Sequence, residues 1–108
     1  MIYLTNSFSL QMLNLDEKHT IKTKTLTDDE ARRELANGFV NALGHKYTAR
    51  RIGAMLGMNL QMNRINIRAN EKDTIIVGQL IGGRLPEGTE KLPSGSKIIF
   101  VKVQIIEK

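Results

Sequence analysis

Phe39-Val40-Asn41-Ala42-Leu43-Gly44-His45, running on into Lys46-Tyr47-Thr48-Ala49-Arg50-Arg51-Ile52-Gly53-Ala54-Met55-Leu56-Gly57, is the stretch whose reading decides the fold. Phe39 to Leu43 is a short apolar run and reads as a buried strand, with Gly44-His45 as the turn after it. A helix starts near residues 46–48 and ends at Gly57. Ile52, Met55 and Leu56 fall at i, i+3 and i+4 and make one apolar face, with Arg50 and Arg51 off it. Gly53 inside that helix costs up to about 1 kcal/mol relative to Ala. A strand feeding a helix through a tight turn points to an α/β or α+β domain.

Toward the N-terminus, Ile2-Tyr3-Leu4-Thr5 reads as a first short strand. The polar cluster Asn6-Ser7-Phe8-Ser9 can turn or cap, and Leu10, Met12 and Leu13 predict a short helical turn facing the core. From His19 to Leu26, Ile21, Thr23 and Thr25 alternate with Lys22 and Lys24, as in a strand near an edge with lysines on its wet face. Thr27 with Glu30 three residues on fits a capping box, and the run Asp28-Asp29-Glu30 suits the positive end of a helix reaching about Ala36. Asn37-Gly38 stops it.

Toward the C-terminus, Asn63 to Arg68 alternates, Ile65 and Ile67 against Arg64, Asn66 and Arg68, and reads as a strand. Asp73 to Ile81 and Lys97 to Ile106 are longer strands rich in Ile and Val. Between them Gly82-Gly83-Arg84-Leu85-Pro86-Glu87-Gly88 is a loop or an interrupted helix, and Pro93-Ser94-Gly95-Ser96 a turn. The expected architecture is a single small α/β domain over residues 1–108: a mixed sheet of about five strands flanked by two or three helices.

Composition narrows the chemistry. The chain has 108 residues and no cysteine, which excludes disulfides, thiolate nucleophiles and cysteine-held metal clusters. No apolar run approaches the roughly 20 residues needed to cross a bilayer, and no secretory signal is expected, so the cytoplasm is the expected location. Sixteen Lys and Arg against eleven Asp and Glu leave a formal charge of +5, which favours an anionic partner. With no Trp, two Tyr and three Phe, a broad stacking platform for single strands is poorly supplied.

Only two histidines exist. His19 precedes a lysine-rich strand and reads as a surface residue. His45 stands at a strand end, just before a basic helix, where catalytic groups often sit on a rigid scaffold. Imidazole is the side chain best suited to give or take a proton near neutral pH. No second His or Cys lies within metal-ligand spacing of His45, so no metal and no cofactor are expected. There is no Gly-x-Ser-x-Gly elbow and no Walker loop. Arg64, Arg68 and Arg84 have few acidic neighbours in sequence, and the arginine fork matches phosphate oxygens.

Three segments in order, Leu4-Thr5-Asn6-Ser7-Phe8-Ser9-Leu10-Gln11-Met12-Leu13, then Asn41-Ala42-Leu43-Gly44-His45, then Gln79 through Arg84-Leu85-Pro86-Glu87-Gly88, resemble the type III anti-CRISPR ring nucleases, small proteins of viruses and mobile elements. The resemblance implies a homodimer whose subunits share a pocket for cyclic tetra-adenylate. It implies metal-independent cleavage of that ring to linear di-adenylate ending in a 2′,3′-cyclic phosphate, which would antagonise type III CRISPR signalling. It assigns His45 as the catalytic general acid, with Glu87 and Arg84 beside the chemistry. Asn6, Ser9, Arg64 and Gln79 become ring contacts. It implies no stable nucleic-acid polymer partner and no membrane.

The in-line nucleophile of such a reaction is the ring's own 2′-hydroxyl, so positioning lowers much of the barrier. Two other readings stand beside it: a protein that binds cyclic oligoadenylate without cutting it, and a small basic DNA-binding regulator, whose best features are Arg50 and Arg51.

Overall fold

The computed structural model describes residues 1–82 and 96–106. Five strands and two α-helices follow in the order β1 (Ile2–Thr5), β2 (Thr20–Leu26), α1 (Asp28–Leu35), β3 (Val40–Ala42), α2 (Lys46–Leu56), β4 (Thr74–Ile81) and β5 (Lys97–Ile106). A single 3-10 turn over Leu10–Met12 sits between β1 and β2, capped by the Ser9 hydroxyl, which accepts from the Gln11 N–H. The strands form one mixed sheet in the order β2-β5-β4-β1-β3. This is the α/β architecture the sequence predicts.

β1 is parallel to both β3 and β4, while β5 is antiparallel to β4 and to β2. Strands β1 to β4 therefore all run one way, and their carboxyl ends gather at one margin of the sheet. The pairing of Thr5 with Ala42 sets the ends of β1 and β3 level, while β4 continues past Val77, the other partner of Thr5, to Ile81. In open α/β sheets this margin is where ligands bind.

Both helices pack on one face. Leu4, Leu26, Ile76, Ile98 and Phe100 from the sheet meet Ala31 and Leu35 of α1 and Ala49, Ile52 and Leu56 of α2. Each fully buried aliphatic side chain there contributes about 1.5–3 kcal/mol relative to exposure. Gly78 of β4 lets α2 come close: a Cβ there would lie 2.4 Å from Ile52 Cδ1. Arg32 on α1 donates to the Met55 carbonyl of α2 at 3.3 Å, tying the helices together. The opposite face holds Ile75, Val77 and Val103 under Tyr3, Phe8, Met12 and Ala69.

The helix ends follow local chemistry. At α1 the Thr27 hydroxyl accepts from the Glu30 N–H and the Glu30 carboxylate accepts from the Thr27 N–H, closing the capping box. That backbone N–H from Thr27 holds the Glu30 carboxyl below its ordinary range, with Lys24 and Arg33 adding to the effect. Gly57 ends α2 in the left-handed region, at φ +69°.

Two expectations need correction. Asn63 to Arg68 is not a strand: residues 58–70 carry no regular structure, Ile65 is exposed, and only Ile67 is buried. One backbone bond, Asn63 N–H to the Leu43 carbonyl at 2.7 Å, joins this stretch to the sheet margin, and a single bond makes no ladder. Arg64 and Arg68 accordingly lie on an irregular segment rather than on a strand. The Phe39–Leu43 run yields only the three-residue β3, which is the sheet's edge and half-buried rather than central. The irregular segment runs beside it.

Candidate functional site

At the carboxyl margin β1 passes into Asn6, and β3 passes through Leu43 and Gly44 into His45. His45 is the N-cap of α2, in extended conformation (φ −136°, ψ 127°), and its side chain caps no backbone N–H. The first intrahelical bond runs from the Ala49 N–H to the His45 carbonyl at 2.9 Å. The His45 ring is therefore free of a capping duty. It stands at the positive end of an 11-residue helix, which favours negative charge nearby. His45 is half-buried, and its Nδ1 is fully shielded with no hydrogen-bond partner among the described residues. A shielded ring nitrogen without a protein partner is uncommon and calls for an explanation.

Gly44, the residue before it, is held from two sides. Asn6 Oδ1 accepts from the Gly44 N–H at 2.9 Å. Arg64 donates twice to the Gly44 carbonyl, from Nη2 at 2.7 Å and from Nε at 3.2 Å. One residue back, Asn41 Oδ1 accepts from the Leu43 N–H at 3.0 Å while Asn41 Nδ2 donates to the Gln61 carbonyl at 2.7 Å. Asn63 returns the contact, donating from Nδ2 to the Asn41 carbonyl at 2.7 Å. Side chains and backbone of an irregular segment thus do for this loop what a further strand would do elsewhere.

Charge along residues 35–70 is one-sided. Residues 35–70 contain five cations, Lys46, Arg50, Arg51, Arg64 and Arg68, and no Asp or Glu. All five are exposed, and none has an ion-pair partner among the described residues. Two clefts are lined in part by them. One, of about 180 Å³, is lined by Ser9, Gln11, Met12, Ile65, Asn66, Ile67 and Arg68. The other, of about 420 Å³, is lined by Lys46, Arg50, Asn59, Leu60, Gln61 and Met62, with Arg50 lying 5.7 Å over the Tyr47 ring. Cations without counter-charges, beside a helix N-terminus, suit an anionic ligand.

The residues expected from sequence divide accordingly. Asn6, His45 and Arg64 come together around Gly44. Ser9 lines the smaller cleft with Arg68 and has no hydrogen bond to the Gly44 loop. Gln79 lies near the end of β4, half-buried, its Nε2 donating to the Leu80 carbonyl at 3.1 Å. Arg84 and Glu87 lie outside the described residues, as does most of the glycine-bearing loop. His19 is half-buried at the surface, and its Nε2 donates to the Asn14 carbonyl at 2.6 Å.

Comparison with known proteins places this geometry in a lineage. The STIV B116-like family profile matches residues 2–94. The chain belongs to the STIV B116-like family. It is 34% identical over 89 residues to protein 26 of Sulfolobus islandicus filamentous virus, an alignment covering 82% of this chain and 74% of that protein. It is also similar to the solved structure of B116 from Sulfolobus turreted icosahedral virus, with a TM-score of 0.75 and 29% identity over 95% of this chain and 97% of that one. Both relatives are viral proteins, in keeping with the viral character expected from sequence. In this STIV B116-like chain no helix among the described residues is long and apolar enough to cross a membrane.

Asn41, Asn63 and Lys46 are the site residues sequence reasoning missed. Asn41 lies inside the quoted Asn41-Ala42-Leu43-Gly44-His45 segment, so its position carried a signal. Asn63 is 22 residues away and announces itself in no spacing.

Proposed function

We propose that this protein is a metal-independent ring nuclease that cuts cyclic tetra-adenylate into linear di-adenylate with a 2′,3′-cyclic phosphate. The observation that carries the reading is His45 at the N-cap of α2, with no capping bond to make, on a loop fixed from both sides and near cations that have no ion-pair partner among the described residues. In the proposed step the ring's 2′-oxygen bonds to phosphorus as the bond from phosphorus to the 5′-oxygen breaks. Protonated His45 gives its proton to the departing 5′-oxygen, a contribution of typically 10²–10⁴-fold. The 2′-hydroxyl proton goes to a base, for which Glu87 is the candidate. Arg84 and Arg64 offset charge on the phosphate oxygens, and Asn6, Ser9 and Gln79 contact the ring.

A cyclic tetranucleotide has internal two-fold symmetry, and a homodimer presents each side chain twice. Two copies of His45 then account for two cuts per ring. Removal of the messenger would silence the defence enzymes it activates, which fits a virus-type protein acting in the host cytoplasm.

The test is incubation of labelled cyclic tetra-adenylate with wild type and His45→Ala in EDTA. Turnover by wild type and its loss in the variant supports the reading. Tight binding with no product from either protein would replace it with a non-cleaving sponge. Absence of ring binding, with salt-sensitive duplex binding instead, would replace it with a DNA reader.

A further inference from the structure

We infer that Asn6 and Arg64 are positioning residues that set the histidine through the Gly44 backbone. The inference rests on the proposed role of His45 and deepens it. The polar atoms of these two side chains that have partners among the described residues bond to the backbone of one residue, on the two peptide units that flank its Cα: Oδ1 of Asn6 with the Gly44 N–H at 2.9 Å, and Nη2 and Nε of Arg64 with the Gly44 carbonyl at 2.7 and 3.2 Å. The two residues reach it from different elements, the end of β1 and the irregular segment before β4. Gly44 is joined to His45 by a single peptide bond, and His45 continues directly into α2.

Among the described residues Gly44 has no other hydrogen bond of its own. Its flanks are held separately, by Asn41 and Asn63 behind and by the Ala49 N–H on the His45 carbonyl ahead. Free rotation about the φ and ψ bonds of Gly44 would swing the His45 Cα between those fixed points. Holding the peptide units on both sides of the Gly44 Cα removes that rotation. General-acid transfer needs the donor within about 2.6–3.2 Å of its target, so a shift of a few tenths of an ångström at the Cα is felt at the ring.

Arg64 is singled out by its geometry. A lysine supplies a point charge, but only the guanidinium fork can give one carbonyl two N–H donors from one side chain. If Arg64 acted on the ligand by charge alone, lysine would serve. Acting through Gly44, it does not.

The substitutions Asn6→Ala, Asn6→Asp, Arg64→Ala and Arg64→Lys separate these roles. In the ligand-free protein, Asn6→Ala speeds amide exchange of Gly44 by about tenfold, as expected for loss of one charge-free hydrogen bond. It also shifts the His45 ring resonances in a ¹H–¹³C spectrum. Asn6→Asp keeps an acceptor for the Gly44 N–H and restores both signatures. Single-turnover cleavage at saturating cyclic tetra-adenylate falls at least tenfold in Asn6→Ala and recovers most of that loss in Asn6→Asp. Arg64→Lys holds ring affinity within about threefold but loses rate as Arg64→Ala does.

Unmoved His45 resonances and unchanged Gly44 exchange in Asn6→Ala and Arg64→Ala would overturn the inference. Full rate in Arg64→Lys, or worse cleavage by Asn6→Asp than by Asn6→Ala at saturation, would do the same. The ligand-free readouts stand even if wild type fails to cut the ring, so failure of the positioning role and failure of the cleavage reading are distinguishable.

Discussion

Replacing Gly78 by alanine tests the link between the sheet and the helix that carries His45. The new Cβ would lie 2.4 Å from Ile52 Cδ1, 3.0 Å from Ile52 Cγ1 and 3.5 Å from Phe100 Cε1. Ile52 is fully buried and Phe100 is 1% exposed, so neither can swing into solvent. Overpacking of this kind costs about 1–3 kcal/mol. The alanine recovers about 0.4–1 kcal/mol through the less free unfolded chain. A net loss of about 1–2 kcal/mol follows, which lowers Tm by roughly 4–15 °C in a domain of this size. The closest atom is one that Ile52→Val deletes. Ile52→Val alone costs about 0.5–1.5 kcal/mol. In the double variant the worst clash is gone, so the combined loss should fall short of the sum by about 1 kcal/mol. Denaturant unfolding of the two single variants and the double variant measures that coupling. Strict additivity, or a Gly78→Ala protein as stable as wild type, would refute the close approach of α2 to β4.

Three further outcomes follow. Gly44→Ala leaves Tm within about 3 °C, because the atoms nearest its Cβ, Asn6 Oδ1, Arg64 Nε and Arg64 Cγ, lie at an ordinary contact distance of 3.6–3.8 Å and no positive φ is required. Asn41→Ala removes two hydrogen bonds, to the Leu43 N–H and the Gln61 carbonyl, and lowers stability by about 1–3 kcal/mol in chemical denaturation, with faster proteolysis around residues 58–64. Glu30, its carboxyl held low first of all by the Thr27 N–H, stabilises α1 above its unfolded pKa and loses that effect as pH falls through its folded one. Acid titration of wild type against Thr27→Val and Glu30→Gln should show wild type losing its advantage on the acid side only.

Legibility of the fold tracks how local its causes are. The capping box at Thr27, the glycine stop at Gly57 and the apolar spacing of α2 are settled within a few residues, and each stands where the sequence puts it. The strand expected over residues 63–68 failed because Ile65 and Ile67 between polar residues imitate period-2 burial. The bonds of the segment that holds them instead run from Asn63 and Arg64 to Leu43, Asn41 and Gly44, distant in sequence and without periodicity. Of the site, the meeting of Asn6 and His45 follows from the parallel strands β1 and β3 ending at one margin, whereas Arg64 arrives on the irregular segment. That Asn6 and Arg64 bond to the Gly44 backbone could not be read from side-chain type. The sequence reading assigned both to the ligand.

The central claim is proton donation by His45 to the departing 5′-oxygen. It is tested most directly by comparing an ordinary cyclic tetra-adenylate with one whose scissile 5′-oxygen is replaced by sulfur, a leaving group that needs no proton. His45→Ala should be slower than wild type by about 10²–10⁴-fold on the oxygen ring, yet within about tenfold of wild type on the sulfur ring. An equal loss on both rings, or no cleavage of either by wild type, would contradict the account.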